Sequence, residues 1–310
     1  MSVINTNVSA LYSQNAMKTN ARAMNTVMEQ LSTGTRVNSA KDDAAGLAIG
    51  QNMTSQIRGL NQAVRNLNDG INMIQTAEGA MIEQSNMLQR MRELAVQAMN
   101  GTYSNVQRGY LDKEFQALAV QIGKIASDTK WNDQTLLDAS QTQDSTAGTF
   151  KYQAGQNAGQ TVVVTINAMT LTGLAIDTNT AFAYAAVSAG ALDVYGNVAT
   201  ASIASAATAK PDIGTVSRAT ATIALMSTAL ETINSQRAQL GAAINRMQYA
   251  GDNLTNISSN TTQSRSSIMD TDYALASTQL AKNQIIQQAA TAMLAQANQQ
   301  PQSVIALLKG

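Results

Sequence analysis

Several residue types that carry chemistry in other proteins are missing or rare in this chain. Its 310 residues include no cysteine, no histidine, two prolines and one tryptophan. The absence of cysteine excludes disulfides and thiolate chemistry, and the absence of histidine excludes histidine triads and cysteine–histidine zinc sites. A site built on carboxylates or lysine stays open, but general acid–base catalysis relies most often on histidine. The sequence therefore predicts a protein that is not an enzyme and that has no catalytic residues, cofactor or metal.

Charge is scarce as well. Charged residues make up 13% of the chain, against roughly 25% in a typical soluble domain, and the formal net charge is zero. A balanced chain has no net field to attract nucleic acid or an anionic membrane, so we expect neither a nucleic-acid partner nor membrane insertion. The first residues lack the basic and apolar blocks of a Sec-type signal peptide. We therefore expect any export to follow a route without a cleaved signal peptide.

Apolar residues recur at an interval of seven in both halves of the chain, which is typical of a coiled coil. We call these two series of apolar residues the predicted intramolecular seam. In the N-terminal half they are Met53, Leu60, Leu67, Ile74, Met81 and Leu88, and in the C-terminal half they are Met226, Ile233, Leu240, Met247 and Leu254. The first 210 residues contain no proline that would break a helix. Long helices are therefore predicted in both halves.

The two halves are predicted to pair lengthwise. Closing the chain between them costs about 4 kcal/mol, whereas each buried Leu or Ile contributes roughly 1.5–3 kcal/mol. We expect residues 53–98 to pack on residues 223–258, with a helix at 106–127 on the third side and residues 4–31 paired with 275–298. The predicted fold is mainly α, a long antiparallel coiled-coil-like helical bundle formed by the N- and C-terminal halves.

The remaining segments predict smaller features. Alternation with a period of two predicts a β-hairpin at about 149–166, and the Ala-, Ser- and Thr-rich residues 167–211 predict a short, β-rich or irregular outer insertion. Gly101 is suited to the C-terminus of the first long helix, and Pro301 is expected to end the last one. The acidic pairs Asp42–Asp43 and Asp270/Asp272 are expected to cap helices rather than to catalyse a reaction.

Both chain ends are unusually poor in charge. From Tyr273 to Leu308 the one charged residue is Lys282, and few occur between Met1 and Leu31. A nearly uncharged helix face is cheap to desolvate, so we infer that the terminal helices are buried between copies of the protein. The alternative is a polar, disordered tail, which could also become ordered on assembly. A head-to-tail contact that does not close produces a helical filament.

Two groups of sequence stretches resemble a known family. The first contains VINTNVSALYSQNAM, LSTGTRVNSAKDDAAGLAI, LNQAVRNLNDGINMIQTAEGAM and LQRMRELAVQAMNGTYS. The second contains LGAAINRMQYAGDNLTNISSNTTQSRSSIMDTDYALA and LAQANQQPQSVIALLKG. In order and spacing they resemble the two halves of bacterial flagellin, over residues 1 to about 166 and 212–310. The resemblance implies a structural subunit that polymerises into the extracellular filament of the bacterial flagellum and serves motility.

The resemblance also implies a layered assembly. Residues 1–42 and 266–310 would form the filament inner core, 43–166 and 212–265 the helical rod domain, and 167–211 a variable outer insertion. The residues that it assigns to inner-core assembly are Met17, Met24, Leu31, Leu275, Ile286, Met293, Leu307 and Leu308. Its other implied partners are an export chaperone at the C-terminal helix, the filament cap and the hook-junction proteins. Unfolded export through the flagellar type III system would account for the missing signal peptide.

A host receptor is a further implied partner. The segment 89–96 is similar to the family's patch for Toll-like receptor 5, and the resemblance assigns receptor contacts to Gln89, Arg90, Leu94 and Glu114. Without the resemblance, Arg90 and its neighbours could form an ordinary solvated helix face. The alternative function is a hook–filament junction protein, which shares the terminal helices but caps instead of polymerising.

Overall fold

The computed structural model describes residues 7–140, 148–176 and 211–308, with side chains described up to residue 299. In these ranges the chain forms five α-helices and four short strands: α1 (Val8–Thr33), α2 (Ala44–Met99), α3 (Asn105–Asp128), β1 (Lys130–Trp131), β2 (Gln134–Thr135), β3 (Thr149–Gln153), β4 (Thr161–Thr165), α4 (Val216–Met269) and α5 (Tyr273–Leu308). The predicted mainly α fold with a β-hairpin is confirmed. Most of the predicted insertion, residues 177–210, lies outside the described residues.

The chain divides into two compact units. The terminal unit consists of Met1–Gly59 and Asn256–Gly310, and the central unit consists of Leu60–Thr255. Helices α2 and α4 each contribute residues to both. The predicted boundaries between residues 42 and 43 and between residues 265 and 266 separate the layers of an assembled filament. The structure of a single chain does not test such layers, so these boundaries stay predictions.

In the terminal unit, α1 and α5 pack against each other in antiparallel orientation. Asn7 begins α1 by accepting a hydrogen bond from the Ala10 amide at 3.0 Å, and its side-chain amide donates to the Ala297 carbonyl at 2.8 Å. The Asn20 side-chain amide, near the middle of α1, donates to the Asn283 carbonyl at 2.8 Å. Both asparagines therefore hold the two backbones close and fix their register.

The segments that leave α1 and enter α5 pair with each other in what we call the connector joint, residues 34–37 with 268–271. Gly34 ends α1 in the left-handed conformation, with φ 72°, and its carbonyl accepts from the Thr271 amide at 3.1 Å. The Arg36 amide donates to the Met269 carbonyl at 2.6 Å, and its guanidinium donates to the Ile268 carbonyl at 2.7 Å. Arg36 thus satisfies carbonyls at the C-terminus of α4 that have no partner within the helix.

Two of the four acidic residues singled out in the sequence begin helices. The Asp43 carboxylate accepts from the Gly46 amide at 2.8 Å at the start of α2. The Asp272 carboxylate accepts from the Ala274 amide at 2.8 Å at the start of α5. The expectation of helix capping is confirmed for these two residues.

The central unit has a continuous apolar core shared by α2, α3, α4 and the β3–β4 hairpin. Two buried glutamines connect these elements through hydrogen bonds to backbone carbonyls. Gln84 on α2 donates to the carbonyls of Ile122, at 3.2 Å, and Met169, at 3.0 Å. Gln236 on α4 donates to the carbonyl of Thr165, in β4, at 2.8 Å. Gln84 thus joins α2 to α3 and to the segment after β4, and Gln236 joins α4 to the hairpin.

Three local features differ from the sequence predictions. Helix α5 continues through Pro301 to Leu308, although a proline within a helix removes one backbone donor and crowds the preceding turn. Ala306, Leu307 and Leu308 beyond it are good helix formers. Gly101 is not in the left-handed conformation, because the end of α2 is capped by Arg108 instead, which donates to the Ala98 carbonyl at 2.7 Å. The small β1–β2 hairpin around Trp131 has no counterpart among the sequence predictions, because its two-residue strands are too short to show a period.

Candidate functional site

The seam residues differ in burial between the two units. Those of the central unit are buried in its apolar core: Leu60, Leu67, Ile74, Met81, Leu88, Met226, Ile233, Leu240, Met247 and Leu254. Met53, in the terminal unit, is half-buried. On the rim of the core, Glu78 of α2 and Arg237 of α4 form an ion pair of 3.6 Å. The two long helices of the central unit thus share both an apolar core and a peripheral charge contact.

Helix α5 has one face turned toward α1. Its buried and half-buried residues recur in alternating steps of four and three: Ala276, Leu280, Asn283, Gln287, Ala290, Leu294 and Ala297. Three of these seven are alanines, and the small side chains allow the close approach that the asparagine hydrogen bonds require. We call this the inner face of α5, and the rest of its surface, which is exposed, its outward face.

The structure separates the predicted inner-core residues into two groups. Met17, Met24 and Leu31 are half-buried on α1, on the side that contains the buried Asn20 and Val27. On the outward face of α5, Leu275 is 60% exposed, Ile286 is 41% exposed and Met293 is 59% exposed. Leu307 and Leu308 belong to the helical backbone of α5, but their side chains lie outside the described residues.

Both terminal helices expose further large apolar side chains. Ile285 is exposed beside Ile286, and α1 exposes Leu11, Tyr12 and Met28. Soluble monomers rarely leave so many large apolar side chains on one pair of helices, and such surfaces mark interaction sites. The terminal helices can therefore gain substantial burial by contact with another molecule.

The predicted receptor residues form a charged surface on α2 and α3, with one exception. The Arg90 guanidinium donates to the Glu114 carboxylate across the two helices at 2.9 Å and to Glu93 at 3.1 Å. The hydrogen bond to Glu114, followed by that to Glu93, raises the pKa of Arg90. Gln89 is exposed beside Arg90. Leu94 is 0% exposed and lies in the core, so it supports this surface from beneath and is not part of it.

Sequence reasoning missed the residue that organises the turn between α2 and α3. Arg108 is only 6% exposed, and besides Ala98 it donates to the Asn100 carbonyl at 3.1 Å and to the Asn105 side chain at 3.0 Å. The sequence feature that could have predicted this role is an arginine in the first turn of a helix that follows a short polar loop. Its positive charge lies where the dipole of α2 is negative.

Other kinds of site find no support in the described parts of the chain. No helix among the described residues is both long and apolar enough to cross a membrane. Across the same residues, no three acidic side chains come together in an arrangement that could hold a metal ion. What the described surfaces offer is contact with other macromolecules, chiefly through the terminal helices.

The fold and these surfaces define a class of protein: a helical subunit whose two chain ends pair and present an uncovered apolar face for self-association. Comparison with known proteins identifies the family. The model of the bacterial flagellin N-terminal helical region matches residues 4–142, and that of the C-terminal helical region matches residues 223–308. A flagellin of Halalkalibacterium halodurans is 38% identical over 307 residues, covering 99% of this chain and 100% of the relative.

Further relatives agree. Polar flagellin F of Vibrio parahaemolyticus is 37% identical over 381 aligned positions, covering 98% of this chain and 99% of its own. A solved structure from Vibrio parahaemolyticus, described as a putative flagellar hook-associated protein, shares the fold, with a TM-score of 0.54 and 12% identity over 74% of this chain and 100% of its own. The chain belongs to the bacterial flagellin family.

Membership of the flagellin family decides whether this chain is a structural subunit or an enzyme. Proteins of this family are structural and not enzymes, and they polymerise into the extracellular flagellar filament. The predicted filament subunit is therefore confirmed, as are self-association, motility and an extracellular location. The full-length similarity is to flagellins, whereas the hook-associated protein is similar in fold alone.

Proposed function

We propose that the outward face of α5, with the exposed apolar residues of α1, forms the inner core of the filament. The supporting observation is the exposure of Leu275, Ile285, Ile286 and Met293 on a helix whose other face already contacts α1. Burying each such side chain between subunits contributes roughly 1.5–3 kcal/mol. Lys282 is the one charged residue between Tyr273 and Leu308. Burying this helix therefore costs little in lost hydration of charged groups.

The rest of the proposed layering follows from this assignment. Residues 1–42 and 266–310 would form the inner core, and residues 43–166 and 212–265 the helical layer around it. Residues 167–211 would face outward. The buried core of the central unit supports this division, because it lets that unit fold without a neighbouring molecule.

The test is polymerisation of a variant with two substitutions, Leu275→Ser and Met293→Ser. Both side chains are exposed in the free subunit, so the circular dichroism and unfolding curve should match those of the wild type. The critical concentration for polymerisation should rise by at least about tenfold. The matched control is Gln288→Ser, an exposed polar residue of the same helix, which should change the critical concentration much less. Unchanged polymerisation of the double variant would remove these residues from the inner core.

Seeded growth distinguishes filament formation from the capping behaviour of a junction protein. Short filament seeds mixed with excess subunit should lengthen continuously, as measured by electron microscopy. A protein that capped the seeds would instead add a single layer and stop. That outcome would favour the hook–filament junction function despite the similarity to flagellins.

We further propose that the chain is exported unfolded by the flagellar type III system and that an export chaperone binds α5 beforehand. The support is again the exposed apolar face of α5, which needs a cover before assembly. The filament cap and the hook-junction proteins would contact the same terminal helices after export. A purified flagellar chaperone should bind the wild type and inhibit its polymerisation, and Leu275→Ser with Met293→Ser should weaken that binding. Equal binding by a chain truncated before Tyr273 would contradict the proposal.

We also propose that the surface of Gln89, Arg90 and Glu114 contacts host Toll-like receptor 5. Arg90 is held between Glu114 and Glu93, and a side chain that is already ordered loses less entropy on binding. Arg90→Ala should weaken binding of the receptor ectodomain by about tenfold or more. The control is Arg65→Ala, an exposed arginine of the same helix whose described partner is Gln62. Equal loss in both variants would show a general effect of charge and not a specific contact.

A further inference from the structure

The turn after α2 contains the one Asn–Gly pair in the sequence, Asn100 and Gly101. Both residues are exposed, in the loop between the end of α2 at Met99 and the start of α3 at Asn105. Asparagine is among the residues that limit the lifetime of proteins at high temperature. We propose that Asn100 is a site of spontaneous deamidation, at which this subunit acquires an aspartate or isoaspartate as it ages.

The local geometry favours attack of the Gly101 nitrogen on the Asn100 side chain. The Asn100 side-chain oxygen accepts a hydrogen bond from the Thr102 amide at 3.2 Å. This bond turns the side-chain carbonyl toward the backbone that follows Asn100, and it polarises that carbonyl. Within the described part of the chain, neither the Gly101 N–H nor the Asn100 side-chain NH2 has a hydrogen-bond partner. Neither the attacking N–H nor the departing NH2 group therefore has to break a hydrogen bond of its own before it reacts.

Gly101 contributes a second advantage. A Cβ built at this position would meet no atom within 4 Å, so the space around the peptide is open to water and to movement. Glycine has no side chain to obstruct ring closure and explores more backbone conformations than other residues. Bringing a nucleophile and a carbonyl together within one short segment greatly raises their effective concentration.

The reaction requires only water. A hydroxide ion removes the proton of the Gly101 amide, and the nitrogen forms a bond to the side-chain carbonyl carbon of Asn100. The bond from that carbon to the NH2 group breaks, and ammonia leaves with a proton from water, so the hydroxide is regenerated. Water then opens the five-membered succinimide at either carbonyl. One opening gives aspartate, and the other gives isoaspartate, in which the side-chain carbon has become part of the backbone.

The product would disturb the cap of α2. The Asn100 carbonyl accepts from Arg108 at 3.1 Å and from the Tyr103 amide at 3.3 Å. An isoaspartate inserts one carbon into the backbone at this point and displaces that carbonyl from both donors. The new carboxylate also lies at the C-terminal end of a helix, where negative charge is unfavourable.

The chain offers an internal control in the β3–β4 hairpin. Asn157 is likewise exposed in a loop, but Ala158 follows it. The methyl group of Ala158 obstructs ring closure, so Asn157 should react more slowly than Asn100. A second control is the variant Gly101→Ala. The open space at Gly101, and its φ outside the left-handed region, allow this substitution without a change of fold.

The experiment is incubation of the full-length chain at neutral and mildly alkaline pH, followed by proteolysis and mass spectrometry of the fragments that contain Asn100 and Asn157. Conversion at Asn100 should be at least about tenfold faster than at Asn157, and Gly101→Ala should remove most of that difference. The rate at Asn100 should increase with pH, because the attacking nitrogen must lose its proton. Equal rates at the two asparagines, or no effect of Gly101→Ala in a chain with wild-type circular dichroism, would overturn the proposal.

Discussion

At the scale of single residues, close packing in the central unit leaves no room at one particular glycine of α2. A Cβ on Gly70 would lie 2.9 Å from the Tyr152 ring, whereas a Cβ on Gly79, further along the same helix, would meet nothing within 4 Å. Gly70 is buried and Gly79 is exposed. The two glycines therefore form a matched pair in which only the surroundings differ.

We predict opposite effects of alanine at these two positions. Gly70→Ala should lower the free energy of unfolding by about 1–3 kcal/mol, because the methyl group must displace the tyrosine ring. Gly79→Ala should raise it by up to about 1 kcal/mol, because alanine favours the helix. Urea unfolding of the monomer measures both. Stabilisation by Gly70→Ala would show that Tyr152 does not pack on α2 in this way.

Tyr152 also makes the stability of the central unit depend on pH in the alkaline range. Burial, and secondarily the charge of Asp69, raises the pKa of Tyr152 above its ordinary value of 10, and its hydroxyl donates to the Met73 sulfur at 2.8 Å. Below pH 10 the phenol is neutral in both the native and the unfolded chain, so the buried side chain makes its full contribution to the free energy of unfolding. As the pH rises above 10, the unfolded chain releases this proton more readily than the native chain, and stability falls.

The variant Tyr152→Phe should remove this part of the pH dependence. We expect the wild type to lose more unfolding free energy than the variant between pH about 9 and about 11. At neutral pH the variant should differ from the wild type by about 1 kcal/mol or less, since it loses one hydrogen bond. The measurement is denaturant unfolding of both proteins across this range. Parallel pH profiles would contradict a buried tyrosine.

At the scale of elements, the long helices are predictable because an apolar period of seven sustained over many turns occurs in few structures besides paired helices. Burial of the ten seam residues in the central unit agrees with that pattern. Which face of α5 meets α1 was not predictable. Large apolar residues such as Leu275 and Met293 attract attention in a sequence, but the inner face contains Ala276, Ala290 and Ala297. Small residues allow close contact and produce almost no signal of hydrophobicity.

Helix ends were harder to predict, since their partners are distant in the sequence. The cap of α2 by Arg108 depends on how α3 folds back. The continuation of α5 through Pro301 runs against the helix-breaking tendency of proline, so the residue type by itself predicts the wrong end for this helix. Leu94 illustrates the same difficulty at the receptor surface. A resemblance assigns a position to a contact, but only the packing of α2 shows that this side chain is buried.

The connector joint provides a prediction at this scale. Arg36→Ala removes the guanidinium bond to the Ile268 carbonyl and leaves the backbone bond to Met269. The loss should cost about 1–2 kcal/mol locally, since a charged donor at a helix C-terminus is favourable. Hydrogen exchange should become faster at residues 34–37 and 268–271. Arg58→Ala, an exposed arginine of α2 in the same unit, is the control. Equal exchange in both variants would show that Arg36 does not hold the joint.

At the scale of the whole molecule, the two units differ sharply in how much apolar surface they bury. The apolar core of the central unit draws on three helices and a hairpin. Among the described residues, the buried apolar side chains of the terminal unit are few: Ala10, Val27, Val37 and Ala276. So small a core offers little to offset the conformational entropy of two long helices. We therefore expect the terminal unit to be the less stable part of a free subunit and to gain most of its stability on assembly.

This expectation can be tested by hydrogen exchange of the free subunit. Amides of α1 and α5 should exchange faster than those of α2 and α4 within the central unit. The difference should disappear once the subunits have polymerised. Slow exchange of α1 and α5 in the free subunit would show that the terminal unit is stable without neighbours.

The most direct measurement of the central claim uses the absence of cysteine from the chain. The variant Met293→Cys places a single thiol on the outward face of α5, where the native side chain is 59% exposed. If neighbouring subunits cover this face, a thiol reagent should label the free subunit rapidly and the filament at least about tenfold more slowly. Equal labelling rates in the subunit and in the filament would contradict the assignment of this face to the contact between copies.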